Sequence, residues 1–381
     1  MNRCPYCFTP SAPDRVAFMC QGDCPTEVDT ETTRQLGFSV NGRRVTTAYV
    51  GAAGRPATVA CDGCRKPTQA MVCPACHLQL PSGWLDHQTV SVVMTGAKAS
   101  GKSVYVAVAV QQLTLLVEHL GGVCLPFNSS TKRLYEENYL GPLRNGQVLE
   151  TTRAANPTEG RLLPAPLVFE IVVGGVRQLL VVRDVPGENL EDSAFNPALL
   201  SFASRADALL FLVDPLRIQE IKHITRGSLP EPEALGEDPM SVLNNISRLL
   251  GAQTGGGRHP IPIGLVLSKF DVLQEMRKAE HPVWAPVMRN RGAAFQRDPS
   301  MKTLAFDPND ATLLSEEINA MLAKLNARGL LNLLDNTFSH VRVFAVSALG
   351  HHTYGDRLHT SGIAPFRVLD PLKWAMDGAR W

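Results

Sequence analysis

Gly96-Ala-Lys-Ala-Ser-Gly-Lys102-Ser103 fits the pattern G-x-x-x-x-G-K-[ST]. An apolar run, Thr89 to Met94, precedes it, and a helix-compatible run, Ser103 to Leu120, follows. Strand, glycine-rich loop and helix in that order make a phosphate cradle, because the loop turns backbone N–H groups of Gly96, Lys98, Ser100 and Gly101 inward and a helix N-terminus favours anions. Lys102 would reach the β- and γ-phosphates, and the Ser103 hydroxyl would ligate Mg²⁺. A glycine-rich turn capping an ordinary helix is the competing reading, and the context on both sides argues against it. The expectation is a nucleoside triphosphate site.

Downstream of this loop the apolar runs alternate with helical patterns. Leu167–Val173 and Arg177–Val182 read as strands joined at Gly174-Gly175, hence as an antiparallel hairpin. Ala208–Val213, Ile263–Leu267 and Val341–Val346 read as further strands. Helices are expected near Met240–Leu250, Ala311–Ala327 and Pro371–Met376. Six strands interleaved with helices predict a doubly wound α/β domain whose sheet is parallel apart from that hairpin.

Upstream the chemistry changes. Eight of the nine cysteines lie before residue 77, in close pairs: Cys4/Cys7, Cys20/Cys24, Cys61/Cys64 and Cys73/Cys76. Zn²⁺ takes four tetrahedral thiolates, and a Cys-x-x-Cys knuckle supplies two from one turn. Taken in chain order, the first two pairs form one structural site and the last two a short zinc ribbon, although pairing Cys4/Cys7 with a later pair is geometrically conceivable. Redox pairs are a weaker reading for four knuckles in one segment. His77 follows a ligand directly and reads as a solvated neighbour; Cys124 reads as a small buried hydrophobe. Asn41-Gly42 is a hairpin signal, and Pro81-Ser-Gly-Trp84 marks the joint. Two units follow, a cysteine module over 1–84 and an α/β domain over 85–381.

With 381 residues, 44% hydrophobic and 19% charged, the chain can bury a sizeable core. Its net charge is +1, from 37 basic and 36 acidic residues, which supplies no long-range attraction to nucleic acid or anionic membrane. The N-terminus lacks an apolar signal core, and the longest apolar tract, Val104 to Val117, is too short to span a bilayer. Reduced cysteines without an export signal predict a soluble cytoplasmic protein.

Three later boxes narrow the kind of P-loop protein. After the hairpin comes Asp184-Val-Pro-Gly187-Glu188, with an acid at the end of an apolar strand where a direct or water-mediated Mg²⁺ ligand belongs. Ser268-Lys269-Phe-Asp271 and Ser347-Ala348-Leu349 each follow a later strand. Each is weak alone, and Asp271 could be a plain helix N-cap. In this order the chain resembles the Ras-like, translation-factor-related P-loop GTPases over residues 87 to about 380, and the cysteine head and long insertions look more like the bacterial double-GTPase-type or regulatory GTPases than like a small Ras protein.

That resemblance implies guanine recognition. Asp271 would accept from the base, the Lys269 stem would pack over it, and the Ser347-Ala348 backbone would meet its O6. Gly187 would sense the γ-phosphate. Three departures stand out: Ser268 replaces the usual Asn or Thr, Glu188 replaces a water-orienting Gln, and the span from Ser103 to Asp184 is long. That span should carry the switch threonine. Thr152 is preferred; Thr158 has the better local motif but lies close to the hairpin. Arg153 and Arg161 flank them and read as solvated loop arginines rather than arginine fingers. His351-His352 follow the last box and read as plain loop residues rather than as lining of the nucleotide rim.

The resulting expectation is a GTP-binding switch that slowly hydrolyses GTP to GDP and phosphate. Lys102, Glu188 and Thr152 would carry catalysis, Ser103 and Asp184 would hold Mg²⁺, and the zinc ribbons would dock a protein partner. An ATPase, or a zinc-ribbon adaptor with a scaffolding P-loop domain, are the alternatives. Nucleic-acid binding ranks low: Arg43-Arg44 and Arg65-Lys66 supply charge, but aromatics are sparse.

Overall fold

A computed structural model describes residues 1–52, 54–150, 152, 154–156, 159, 161–192, 194–225, 237–251, 257–275, 284–351, 353 and 357–377. Three antiparallel strands open the chain: β1 (Arg15–Met19), β2 (Val45–Tyr49) and β3 (Ala70–Val72), with β1 in the middle. Helix α1 (Thr30–Leu36) lies between β1 and β2 in sequence and is capped by Asp29, whose carboxylate accepts from the Glu31 and Thr32 amides at 3.0 Å. Asn41-Gly42, expected as the turn of a hairpin, is instead a short strand pairing with Glu27–Val28. Helix α1 lies in the connection between these two short strands.

The antiparallel ladder also corrects the cysteine partition. Ala17 stands opposite Val72 and Met19 opposite Ala70, so β3 runs back along β1. The knuckle after β3 therefore returns to the knuckle before β1, and the inner two knuckles meet at the other end. The sulfurs group as Cys4/Cys7/Cys73/Cys76 and Cys20/Cys24/Cys61/Cys64, each set within 4.8 Å of one another. The pairing is nested, not sequential.

The main sheet has seven strands rather than six. They are β4 (Gln88–Gly96), β5 (Val123–Pro126), β6 (Leu167–Val173), β7 (Val176–Asp184), β8 (Ala208–Val213), β9 (Ile263–Leu267) and β10 (Val341–Ala345). Their spatial order is β10-β9-β8-β4-β7-β6-β5. β6 runs antiparallel to both neighbours, and the remaining contacts are parallel. The extra strand, β5, is a four-residue edge whose Val123 and Leu125 are exposed while Cys124 is buried. Among the described helices, α2 (Lys102–His119) packs on one face with α6 (Asp370–Asp377), while α3 (Pro239–Leu250), α4 (Pro308–Lys324) and α5 (Arg328–Thr337) pack on the other. The long apolar tract Val104 to Val117 is thus a buried helix, as its apolar residues on every side require. Among the described residues no helix is long and apolar enough to cross a membrane.

The two parts share one core. Cys4, Cys7, Phe8 and Trp84 belong to the same buried cluster as Leu190, Leu200 and Phe202 from the segment after β7. Phe8 meets Phe202 edge-on at 5.5 Å, and the Trp84 indole donates to the Arg3 carbonyl at 2.9 Å. Arg183 lies over the Phe202 ring at 4.0 Å and donates to the Tyr6 carbonyl at 2.6 Å. Burial pushes its guanidinium down to about 10.

Candidate nucleotide site

Four parallel strands, β4, β7, β8 and β9, end side by side, and ligands in open α/β sheets bind beyond the carboxyl ends of such strands. A cleft of about 470 Å³ lies there. Lys98, Gly101, Lys102 and Ser103 of the phosphate loop line one side; Ser268, Lys269, Asp271, Ser347 and Ala348 line the other. The loop is shaped by close backbone approach. A Cβ on Gly96 would sit 2.3 Å from the Leu212 carbonyl oxygen of the next strand, and one on Gly187 2.3 Å from the Lys98 amide nitrogen. At the start of α2, Gly101 caps without a side chain, which leaves the first helical amides for a ligand.

Lys102 is buried and donates to the Gly96 and Ala97 carbonyls at 2.9 and 2.8 Å. Burial lowers its pKa, against the raising effect of Asp184 and Glu191. Ser103 Oγ donates to Asp184 Oδ2 at 2.7 Å and lies 2.9 Å from Thr152 Oγ1, which reaches the same carboxylate oxygen at 3.3 Å. The second oxygen, Asp184 Oδ1, is buried without a hydrogen-bond partner. Burial raises the Asp184 pKa; Lys102 and the neighbouring hydroxyls oppose that rise. Two hydroxyls and a carboxylate with an unsatisfied oxygen form an oxygen donor set suited to Mg²⁺.

At the far end, Asp271 is buried and accepts from the Ser347 hydroxyl, which also accepts from the Gly350 amide at 2.9 Å. Ser268 Oγ donates to the Ser100 carbonyl at 2.8 Å and to Val213 O at 3.1 Å, so the serine still ties its strand to the phosphate loop. Lys269 pairs with Asp214 at 2.8 Å, and Asp214 also accepts from the Leu216 amide at 3.0 Å. Sequence reasoning overlooked Asp214 and Arg217, both on the cleft wall. The available signal was an acid directly after the apolar run of β8, followed by proline.

Glu188 stands on a short helix, Gly187–Glu191, and both its oxygens are engaged: Oε1 with Lys98 Nζ, Oε2 with the Ala154 amide at 3.2 Å. The Lys98 contact holds its carboxyl below the usual range despite partial burial. Arg161 pairs with Glu159 and does not line the cleft, whereas His351 lines it and stacks on His359 at 4.6 Å. Thr158, Arg153 and His352 lie outside the described residues. His77 is turned to Asp29, with Nδ1 at 2.9 Å, and belongs to neither sulfur cluster. Those two clusters are compact enough to hold a metal ion each.

Residues 89–346, from the phosphate-loop strand through the last strand of the sheet, match the family model described as Double-GTPase 2. Over 402 residues the chain is 34% identical to the putative ESX-1 scaffolding and assembly protein SaeC of Mycolicibacterium smegmatis, covering 99% of each. Among solved structures it is similar to the GTP-bound GTPase-like domain of S. cerevisiae Ski7, at 12% identity and a TM-score of 0.30, covering 69% of this chain and 44% of that one. It is also similar to the Arl6 small GTPase of Trypanosoma brucei, at 14% identity and a TM-score of 0.29, covering 77% and 98%. The chain spans less than half of the yeast protein's structure. Similarity at these scores adds nothing to the match over 89–346, and on that match the chain belongs to the double-GTPase 2 family.

Proposed function

We propose that this protein is a guanine-nucleotide switch that binds GTP and hydrolyses it slowly to GDP and phosphate. The cysteine module, in this reading, holds two structural zinc ions and docks a protein partner in the cytoplasm. The observation that carries it is the cleft itself, with the Ser103, Thr152 and Asp184 oxygens at its phosphate end and the buried Asp271 at the other. Phosphate oxygens would take the loop amides and the Lys102 ammonium. Asp271 would accept from the N1 and N2 hydrogens of guanine, held for that purpose by Ser347. Mg²⁺, held by Ser103, Thr152 and Asp184, would supply charge neutralisation at the β- and γ-phosphate oxygens. Thr152 and Gly187 stand on the two segments that would rearrange when the γ-phosphate leaves. The name of the M. smegmatis relative supports a role in assembling other proteins, with the nucleotide state setting when docking occurs.

Nucleotide competition on the full chain tests this reading. The wild type should prefer GTP over ATP, and Asp271→Asn should shift that preference toward xanthine nucleotides. Equal or tighter ATP binding would remove guanine from the reading. In cells, a Lys102→Ala variant that keeps both function and partner binding would reduce the nucleotide domain to a scaffold.

A further inference from the structure

Lys98 occupies an unusual place within the phosphate loop. It is the second variable residue of the loop, lines the cleft, and lies against Gly187. Its ammonium pairs with Glu188 Oε1, and its own amide donates to Glu191 Oε1 at 2.6 Å. Glu188 also receives the Ala154 amide, two residues from Thr152. The phosphate loop, the Thr152 segment and the Gly187 segment therefore converge on one lysine and two carboxylates. In a P-loop switch this is where the terminal phosphoryl group lies, between the loop and the two segments that sense it. A carboxylate on a loop amide and another on a loop ammonium are the contacts phosphate oxygens make.

On the guanine-nucleotide reading above, we propose that Lys98 is the protein's own cation for the γ-phosphate, and that Glu188 and Glu191 are carboxylate placeholders competing with that phosphate for the Lys98 ammonium and amide. Arrival of the triphosphate displaces both acids, and with them the short helix they stand on. Hydrolysis then forms a bond from the water oxygen to the γ-phosphorus and breaks the bond from that phosphorus to the β–γ bridging oxygen. GDP and inorganic phosphate leave, with the water proton on a phosphate oxygen. Lys98 keeps its proton throughout; its charge neutralises the equatorial oxygens as the bond to GDP loosens. The assignment also accounts for an acid after Asp184-x-x-Gly187. Glu188 there serves as a counter-ion for Lys98, not as the group that orients water.

The test uses the full chain, fluorescent GTP and GDP analogues, and single-turnover GTP hydrolysis with Mg²⁺. Lys98→Ala should slow hydrolysis by about 100-fold, as loss of one preorganised transition-state donor does, with GDP affinity changed by less than about threefold. Lys98→Arg should restore most of the rate, which a purely structural role for the side chain would not require. The double variant Glu188→Gln/Glu191→Gln should bind GTP about tenfold more tightly while its GDP affinity changes by less than about threefold. Wild-type hydrolysis by Lys98→Ala overturns the proposal. So does a double variant that loses hydrolysis with no gain in GTP affinity, which would make Glu188 the water-orienting group. If the wild type takes ATP instead, the guanine reading falls, and the same variants test Lys98 with ATP. If it takes neither, both fall.

Discussion

Adding one methyl group at Gly187 tests whether the phosphate loop and the segment after Asp184 are built to touch. A Cβ there would lie 2.3 Å from the Lys98 nitrogen, 2.5 Å from the Ala97 carbonyl carbon and 2.7 Å from Lys98 Cα. Optimal heavy-atom contacts lie at ~3.5–4.0 Å, so the two backbones must part by about 1 Å. All three atoms are backbone, and no rotamer change relieves the clash. Overpacking of this kind costs ~1–3 kcal/mol, which at tenfold per 1.4 kcal/mol is roughly 5- to 150-fold in affinity. Gly187→Ala should therefore weaken binding of a fluorescent GTP analogue by that factor, and weaken GDP binding less, because only the triphosphate reaches the joint. Gly257→Ala is the control, since a Cβ there meets nothing within 4 Å. Binding titrations at fixed Mg²⁺, with thermal unfolding recorded alongside, decide the matter. A Gly187→Ala protein that binds GTP like the wild type would show that this contact does not shape the site.

The double variant Cys7→Ser/Cys73→Ser separates nested from sequential metal pairing: both residues belong to one sulfur cluster, so metal analysis should find one ion lost and one kept, whereas sequential sites would lose both. Asp370 supplies a pH signature, because burial pushes its carboxyl up to about 6 from an ordinary 3.8, against the lowering effect of Arg367. The folded state holds the extra proton between those values, so this group's contribution to stability falls as pH rises from about 4 to 6 and then levels, by ~3 kcal/mol in total. Asp370→Asn should gain on the wild type by about that amount between pH 4 and 7 in urea unfolding, and parallel pH profiles for the two proteins would refute it.

Legibility followed the range of the information. Ala208–Val213 and Ile263–Leu267 could be bounded to the residue because buried parallel-sheet strands are unbroken apolar runs, and Leu167–Val173, antiparallel to both neighbours, because Gly174-Gly175 ends an apolar run broken only at Glu170. β5 escaped because an edge strand buries only one face: Cys124 is inside, Val123 and Leu125 are not, and Pro126 reads as a stop. That the loop and its boxes meet at one cleft was legible because each is a recognisable set of residue types at fixed spacing, in order at the ends of successive strands. Asp214 was not, since its role depends on Lys269, 55 residues later. Cysteine spacing favours nearest neighbours, whereas the actual partners are set by an antiparallel ladder that spacing does not encode. The link between Lys98 and Glu188 is likewise a contact across 90 residues.

The cap that Arg183 and Phe202 form over the first cysteine knuckle has a consequence for synthesis. Cys4 and Cys7 emerge first but have no complete sulfur cage until Cys76 follows. The outer wall of that cage, through Arg183, Phe202 and the Arg205 contact to the Cys7 carbonyl, arrives up to 129 residues later, from 76 to 205. At the ribosome's pace that leaves a window of ~6–26 s in which the thiols are gathered yet still open to solvent. A metal ion destined for that cage would have that interval in which to enter; afterwards the cage closes under the segment that carries Arg183, Phe202 and Arg205.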